Sequence, residues 1–85
     1  DVDWVLRVDG HTDDQPISGT GRFKDNWELS QARALSVVRF LVDATEIEPQ
    51  KLSANGYGEY QPLTQDTSSA SLAKNRRIEL TLAAR

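Results

Sequence analysis

The spacing of apolar residues predicts one long helix near the middle of the chain. Five apolar residues recur at intervals that place them on one face of a helix, namely Ala34, Val37, Val38, Leu41 and Val42. Asp25 or Asn26 can cap the first turn, and Glu28, three residues after Asp25, gives the pattern of a capping box. We therefore expect a helix that begins near Asn26 and ends between Asp43 and Glu46.

Three shorter segments outside this helix predict strands. Each combines β-favouring residues or alternating polarity with a turn signal nearby. They are Trp4–Val8, Leu52–Tyr57 and Ile78–Leu82. The order strand, helix, strand, strand makes the first three elements a βαβ unit with parallel strands. We therefore predict an α+β fold of two layers, in which the helix covers one face of a mixed sheet and the other face is acidic and polar.

The segments between these elements are predicted to be loops, with one short helical turn. His11 to Asp25 is polar and rich in Gly, Thr, Asp and Ser. Its length exceeds that of most connections, and long loops are often functional. Tyr60 to Ser69 is predicted to be a second loop, and Ser71 to Asn75 a helical turn.

Composition then narrows the class of protein. A chain of 85 residues supports one domain, residues 1–85, with a modest core. The chain has no cysteine and one histidine, which excludes disulfides and multi-histidine metal sites. Its formal net charge of -3 argues against nucleic acid as a partner. No apolar run reaches the ~18 residues that a membrane-spanning helix needs. We predict no metal and no cofactor.

Two charged residues are expected at one edge of the predicted sheet. Asp13 follows the first strand, and Arg33 lies in the helix that comes next, so both belong near the carboxyl ends of the strands, where ligands often bind. One interpretation is a mutual surface salt bridge worth ~0–1 kcal/mol. The other is a receptor for a zwitterion, whose ammonium binds Asp13 and whose carboxylate binds Arg33. The pattern alone favours the salt bridge.

Two further clusters raise hypotheses of a different kind. His11, Asp13 and Asp14 suggest a hydrolase or metal site, but the chain lacks a second histidine, an HExxH motif and a nucleophile elbow. The simpler interpretation is that His11 and Thr12 organise the loop through backbone hydrogen bonds. Asn75-Arg76-Arg77 suggests a basic patch for nucleic acid. The simpler interpretation is that these arginines flank the last strand, one solvated and the other packed or paired.

Five motifs occur in order across nearly the whole chain. They are Gly10-His11-Thr12-Asp13, Asn26-x-x-Leu29-Ser30-x-x-Arg33-Ala34, Leu52-Ser53-x-x-Gly56-Tyr57-Gly58, Gln61-Pro62 and Asn75-Arg76-Arg77-Ile78-Glu79. Together they resemble the OmpA-like domain shared by OmpA, the lipoprotein Pal and the flagellar stator protein MotB. The resemblance implies an OmpA-like two-layer α/β sandwich that is not an enzyme. It also implies non-covalent binding of peptidoglycan through the diaminopimelate of the stem peptide.

The resemblance assigns roles to five residues of this chain. It implies that Asp13 contacts the ammonium of the ligand and that Arg33 holds its carboxylate. Asn26 and Leu29 match the asparagine and leucine at the start of the family's helix, and Arg76 lines or supports the same pocket. Lysine, which replaces diaminopimelate in many cell walls, lacks this carboxylate. A site built on Arg33 should therefore discriminate between the two.

The chain departs from the family pattern in two places. The loop between Asp13 and Asn26 is longer than in OmpA and Pal and, with the helix start that follows it, is closer to MotB-like proteins. The family's first strand and helix should precede Asp1 and are missing. We therefore expect uncovered apolar sheet surface, and either marginal stability or self-association, for example as a homodimer.

The sequence thus predicts a periplasmic module that binds the peptidoglycan stem peptide. It would belong to a cell-envelope protein anchored to the inner or the outer membrane, and would meet a membrane only through an anchor outside these residues. The alternative is a protein-interaction or oligomerisation domain that keeps the same fold without binding the ligand.

Overall fold

The computed structural model describes residues 3–15, 17, 21–63 and 69–84. Along these ranges the elements are strand β1 (Trp4–His11), helix α1 (Asn26–Ala44), a 3₁₀ turn (Pro49–Lys51), strand β2 (Leu52–Gly56), helix α2 (Ser69–Asn75) and strand β3 (Arg77–Ala84). The predicted order of strands and helix is confirmed, and the 3₁₀ turn is additional. Parts of the two predicted loops, Pro16 with residues 18–20 and residues 64–68, lie outside the described residues.

β1 is the central strand of a mixed sheet with the order β2-β1-β3. It pairs in parallel with β2 and antiparallel with β3. Because it has a partner on both sides, β1 continues past Val8, where the sequence pattern predicted its end. Gly10 pairs with Gly56 of β2, and His11 pairs with Arg77 of β3. The segment after His11 therefore leaves the middle of the sheet.

α1 begins and ends where the sequence predicts. The Asp25 carboxylate accepts a hydrogen bond from the Glu28 backbone N–H at 2.9 Å, which satisfies one free donor of the first turn. The Glu28 carboxylate accepts a hydrogen bond from the backbone N–H of Lys24 at 3.2 Å. The expected capping box is therefore modified, because its return bond goes to the residue before the cap.

The first turns of α1 contact the sheet through small and polar side chains. Asn26, Ser30 and Ala34 are buried along this helix, and Val8 of β1 is fully buried beneath it. The predicted apolar stripe is correct for Ala34 and wrong for Val42, which is 37% exposed. The buried face of α1 begins at Asn26, whereas the predicted apolar stripe begins only at Ala34. The earlier buried positions are small or polar, because large apolar side chains do not fit where α1 approaches the strands most closely.

Two glycines permit this close approach. A Cβ atom on Gly10 would lie 2.2 Å from the backbone oxygen of Ser30, and one on Gly56 would lie 2.5 Å from the backbone nitrogen of Gln31. The Ser30 hydroxyl donates to the Trp27 carbonyl at 3.1 Å and accepts from the Gly58 N–H at 2.9 Å. The start of α1 is thus fixed to the carboxyl ends of β1 and β2.

The two faces of the sheet differ in polarity, as predicted. On the face away from α1, the Asp9 carboxylate is 3% exposed and accepts hydrogen bonds from Asn55 Nδ2 and Arg7 Nε, each at 3.1 Å. On the α1 face, Leu80 pairs with Val8, yet α1 packs mainly over β1 and β2. Leu80 and Leu82 of β3 are consequently 57% and 67% exposed. The alternation of apolar and polar residues from Ile78 to Leu82 predicts a half-buried strand, with these leucines on the covered face, and this prediction is wrong for both.

An apolar surface is therefore exposed at the β3 side of the domain. Phe40 of α1 is 66% exposed as well, so both layers contribute large apolar side chains to solvent. In the part of the chain that the structure describes, no helix has the length and apolar character required to cross a bilayer.

We predict that Gly10→Ala and Gly56→Ala each lower the free energy of unfolding by more than about 2 kcal/mol, because the new methyl group overlaps helix backbone that cannot move independently. Gly21→Ala is the matched control, since a Cβ there would meet no atom of the described residues within 4 Å, apart from its chain neighbours. It should change stability by less than about 0.5 kcal/mol. Urea unfolding of the three variants measures this, and equal stability of all three would contradict the close-approach account.

Candidate functional site

The end of β1 and the start of α1 meet around Asp13. Asp13 is a buried residue, only 7% exposed, and each of its two carboxylate oxygens has a partner. Oδ1 accepts a hydrogen bond from the Gln15 backbone N–H at 3.0 Å, and Oδ2 forms an ion pair with Nη1 of Arg76 at 2.5 Å. A carboxylate can accept about four hydrogen bonds, so this group retains acceptor capacity.

Asn26 connects the helix to the loop that carries Asp13. Asn26 is 6% exposed. Its side-chain nitrogen, Nδ2, lies 3.3 Å from the Asp13 carbonyl oxygen and 3.2 Å from the Gln15 carbonyl oxygen. The same nitrogen lies 3.4 Å from Oε1 of Glu59. One amide group therefore draws together the first turn of α1, the loop after β1 and the turn after β2.

The turn after β2 supports the same loop. The Thr12 N–H donates to the Gly58 carbonyl at 2.9 Å, and the Thr12 hydroxyl donates to the Asp13 carbonyl at 2.8 Å. Gly58 has a φ of 62°, a left-handed conformation that glycine adopts without steric cost. The prediction that Thr12 organises the loop through backbone hydrogen bonds is confirmed.

Leu29 and Arg33, two further residues that the sequence assigns to the site, lie along one flank of α1. They follow Asn26 by three and seven residues, a spacing that places all three on one side of a helix. Leu29 is half-buried and Arg33 is exposed. Among the described residues Arg33 forms no ion pair, and the partner of Asp13 is Arg76. The interpretation of Asp13 and Arg33 as a mutual salt bridge is therefore wrong.

The two adjacent arginines at the start of β3, Arg76 just before it and Arg77 as its first residue, have separate structural roles. Arg76 pairs with Asp13, whereas Nε of Arg77 pairs with the Glu79 carboxylate and its Nη2 donates to the Gln61 carbonyl at 2.9 Å. The Arg76 side chain is 46% exposed and that of Arg77 is 15% exposed. Both guanidinium groups have intramolecular partners, which agrees with arginines that flank the last strand and disfavours a nucleic-acid patch.

The His11 side chain is buried at the end of β1. It is 3% exposed, and its ring stacks on Tyr57 with centroids 5.2 Å apart. Neither ring nitrogen has a hydrogen-bond partner within the described residues, so His11 does not organise the loop in the predicted way. Burial, and secondly the charge of Arg77, lower the pKa of His11 below its ordinary value near 6.5, and the carboxylates of Glu79 and Asp9 oppose this only in part.

Three residues to which the sequence analysis assigned no role hold the site together. Ser30 is fully buried where a helix core position is usually apolar, and Glu59 and Gly58 act from the turn after β2. Ser30 could be anticipated from its place one turn after Asn26. Glu59 has no local signal, because its contact with Asn26 arises only when β2 is placed beside β1. No cluster of metal-ligating side chains occurs among the described residues.

We predict that the domain loses stability as the pH falls below about 6.5 and that His11→Phe removes this loss. The unfolded chain takes up a proton on His11 in this range and the folded chain resists it, so acid favours unfolding. Phe keeps the stacking on Tyr57 and has no titrating group. The hydrogen bond from Arg77 is the main cause that lowers the pKa of Glu79 below its ordinary value of 4.5. Protonation of Glu79 therefore reduces the stability of the domain only below about pH 4.5, outside this range.

Thermal melts between pH 7.5 and pH 5 separate the two groups. The wild type should lose stability across this interval while His11→Phe stays flat, and an equal loss in both proteins would show that another group is responsible.

Comparison of the sequence and the structure with known proteins identifies the family of this chain. The OmpA family matches residues 2–76. Motility protein B of Bacillus subtilis is 37% identical over 73 residues, which is 86% of this chain and 28% of that protein. The chain therefore spans less than a third of that relative's length.

Solved structures show the same fold. The periplasmic domain of Helicobacter pylori MotB has a TM-score of 0.85 and 32% identity, covering 95% of this chain and 49% of that one. The peptidoglycan-associated lipoprotein from Burkholderia pseudomallei has a TM-score of 0.79 and 28% identity, covering 94% of this chain and 63% of that one. The predicted α+β fold and the resemblance to MotB-like proteins are confirmed, and the chain belongs to the OmpA family.

Proposed function

We propose that this domain binds cell-wall peptidoglycan non-covalently, through the diaminopimelate of the stem peptide, and so anchors a membrane-linked protein to the wall. The proposal rests chiefly on Asp13, a carboxylate that is nearly buried, held in place by Arg76 and still able to accept further hydrogen bonds. A relative described as peptidoglycan-associated shares the fold. The module is a binder and performs no covalent chemistry.

The ammonium of the ligand would bind Asp13. Arg76 and the Gln15 N–H each use one carboxylate oxygen and fix the orientation of the group. An ammonium donates three hydrogen bonds and fits the acceptor positions that remain. Arg76 therefore supports the site through Asp13, and Asn26 supports it by holding the loop and the helix together.

The carboxylate of the ligand would bind Arg33. Seven residues of helix separate Arg33 from Asn26, which is a rise of about 10 Å. Helical side chains lean toward the N-terminus of the helix, so the long Arg33 side chain extends toward the Asp13 end. Its guanidinium has no ion-pair partner among the described residues and can accept a carboxylate in a bidentate manner. Half-buried Leu29, between Asn26 and Arg33, offers an apolar surface to the methylene groups of diaminopimelate.

The proposed location is the periplasm, in an envelope protein anchored to the inner or the outer membrane. The supporting observation is the likeness to a protein described as the periplasmic domain of MotB. The anchor would come from another part of the parent protein. The peptidoglycan stem is then the partner that the domain meets.

We predict that Asp13→Ala and Arg33→Ala each weaken binding to a diaminopimelate-type muropeptide by about 1–3 kcal/mol, since each removes one charge-assisted contact. Isothermal titration calorimetry with a purified muropeptide measures this directly. A lysine-type muropeptide of otherwise matched structure should bind the wild type more weakly and should bind Arg33→Ala no worse than the wild type, because the lost carboxylate is the partner of Arg33.

Arg39→Ala is the matched control for these variants. Arg39 is exposed on the same helix, and six residues of helical rotation place it away from the Arg33 flank. Its replacement should leave both affinities unchanged. Wild-type affinity in Asp13→Ala and Arg33→Ala, or equal affinity of the wild type for the two muropeptides, would contradict the proposed site.

The second candidate function is association with another protein surface. The exposed side chains of Phe40, Leu80 and Leu82 favour it, because large apolar patches on a small domain usually mark an interface. We propose that a second copy of this chain covers this surface, since symmetric dimers are the commonest assemblies of soluble proteins.

We predict that the isolated chain self-associates with rising concentration and that Leu80→Thr with Leu82→Thr reduces this association, because threonine keeps the strand preference while removing apolar surface. Sedimentation velocity at several concentrations, with a thermal melt, tests it. A monomer at every concentration with a sharp transition at high temperature would show that the 85 residues are self-sufficient.

A further inference from the structure

A cavity opens on the opposite flank of α1 from Arg33. Its volume is about 590 Å³, and the side chains of Phe23, Trp27 and Leu35 form its apolar wall. Arg22, Glu28 and Gln31 add polar groups. The volume falls within the range of ~300–1,000 Å³ that is usual for small-molecule sites, and the mixture of rings with a few polar groups is the usual lining of such sites.

Trp27 also belongs to an exposed pair of aromatic rings. Trp27 and Tyr60 stack with centroids 4.9 Å apart and an interplanar angle of 26°, yet they remain 50% and 61% exposed. A Cβ on Gly58 would lie 3.5 Å from the Trp27 ring and 3.4 Å from the Tyr60 ring, so the pair rests on the backbone of this turn. The rings are thus held in place while a large part of their surface faces solvent.

The aromatic pair is continuous with the proposed stem-peptide site. Trp27 follows Asn26 directly in the first turn of α1, and Tyr60 follows Glu59, whose carboxylate contacts the Asn26 amide. In peptidoglycan the stem peptide is covalently joined to a sugar of the glycan strand. A stem bound at Asp13 therefore brings a sugar within the length of a few residues, at ~3.5 Å for each extended residue.

We propose that Trp27, Tyr60 and the adjoining cavity form a subsite for an N-acetylated amino sugar of the glycan strand. The inference rests on the proposed function and extends it from the peptide to the carbohydrate. A pyranose ring has apolar C–H faces that suit exposed aromatic rings, and hydroxyl and acetamido groups at its edge that suit Arg22, Glu28 and Gln31. A purely apolar partner would remove the exposed charged groups of Arg22 and Glu28 from water without offering them new polar partners, which costs free energy.

The test compares two ligands that differ only in their sugars. One is the disaccharide–peptide muropeptide, and the other is the free stem peptide of identical sequence. Calorimetry should show tighter binding of the muropeptide by wild-type protein. Trp27→Ala and Tyr60→Ala should each remove most of this advantage, about tenfold in affinity, and leave binding of the free peptide unchanged.

Phe40→Ala is the control, because Phe40 is an exposed aromatic residue of the same helix outside this subsite. Thermal melts confirm that each variant is folded, and Tyr60→Ala provides a second test if Trp27→Ala fails to fold. Equal affinity of the wild type for the two ligands would overturn the proposal. So would variants that weaken both ligands to the same extent.

Chitotetraose, an oligomer of N-acetylglucosamine without peptide, separates this inference from the proposed function. NMR shifts of the Trp27 indole on its addition, with no binding of the free peptide, would support the sugar subsite and reject the diaminopimelate site. Binding of the free peptide with no gain from the sugar would reject the subsite and leave the peptide site standing.

Discussion

The close approach of one helix to two strand ends is the constraint on which the rest of this domain depends. Gly10 and Gly56 leave no room for a side chain beneath the start of α1, and the buried Ser30 hydroxyl fills the remaining space with two hydrogen bonds. The polar turn of the helix is thereby held beside the loop that follows the central strand. Asn26 can then hold the Asp13 backbone, which places a nearly buried carboxylate at the edge of the sheet.

The same constraint divides the surface into regions with different chemistry. One flank of α1 carries Leu29 and Arg33, and the other carries Trp27 beside the cavity. Because α1 lies over β1 and β2, the side chains of Leu80 and Leu82 remain exposed. The buried His11 side chain precedes the loop after β1, and its ring nitrogens have no hydrogen-bond partner among the described residues. Burial lowers the pKa of His11, so the ring resists protonation. The geometry of the candidate site and the stability of the domain therefore both depend on the segment from Gly10 to Asp13.

The sequence predicted the fold class, the element order and a cap at Asp25 or Asn26, because these depend on local periodicity and turn chemistry. It also supplied Asp13, Asn26 and Arg76, which the structure brings together. It failed where a contact joins residues distant in the chain. The Arg76 partner of Asp13 lies 63 residues away, and a pattern of charges cannot decide between it and Arg33. Likewise, alternation along β3 predicted half-burial, but the cover over a strand depends on where the helix packs.

The most direct test of the account is a two-dimensional ¹⁵N NMR titration of the domain with a diaminopimelate-type muropeptide. The account predicts the largest shifts at the backbone amides of Asp13 and Gln15, at the Asn26 side-chain amide and at the Arg33 guanidinium, because these groups surround the proposed ligand. Absence of any shift at saturating ligand would contradict the claim that this carboxylate site binds the cell wall. So would shifts confined to β3 and Phe40.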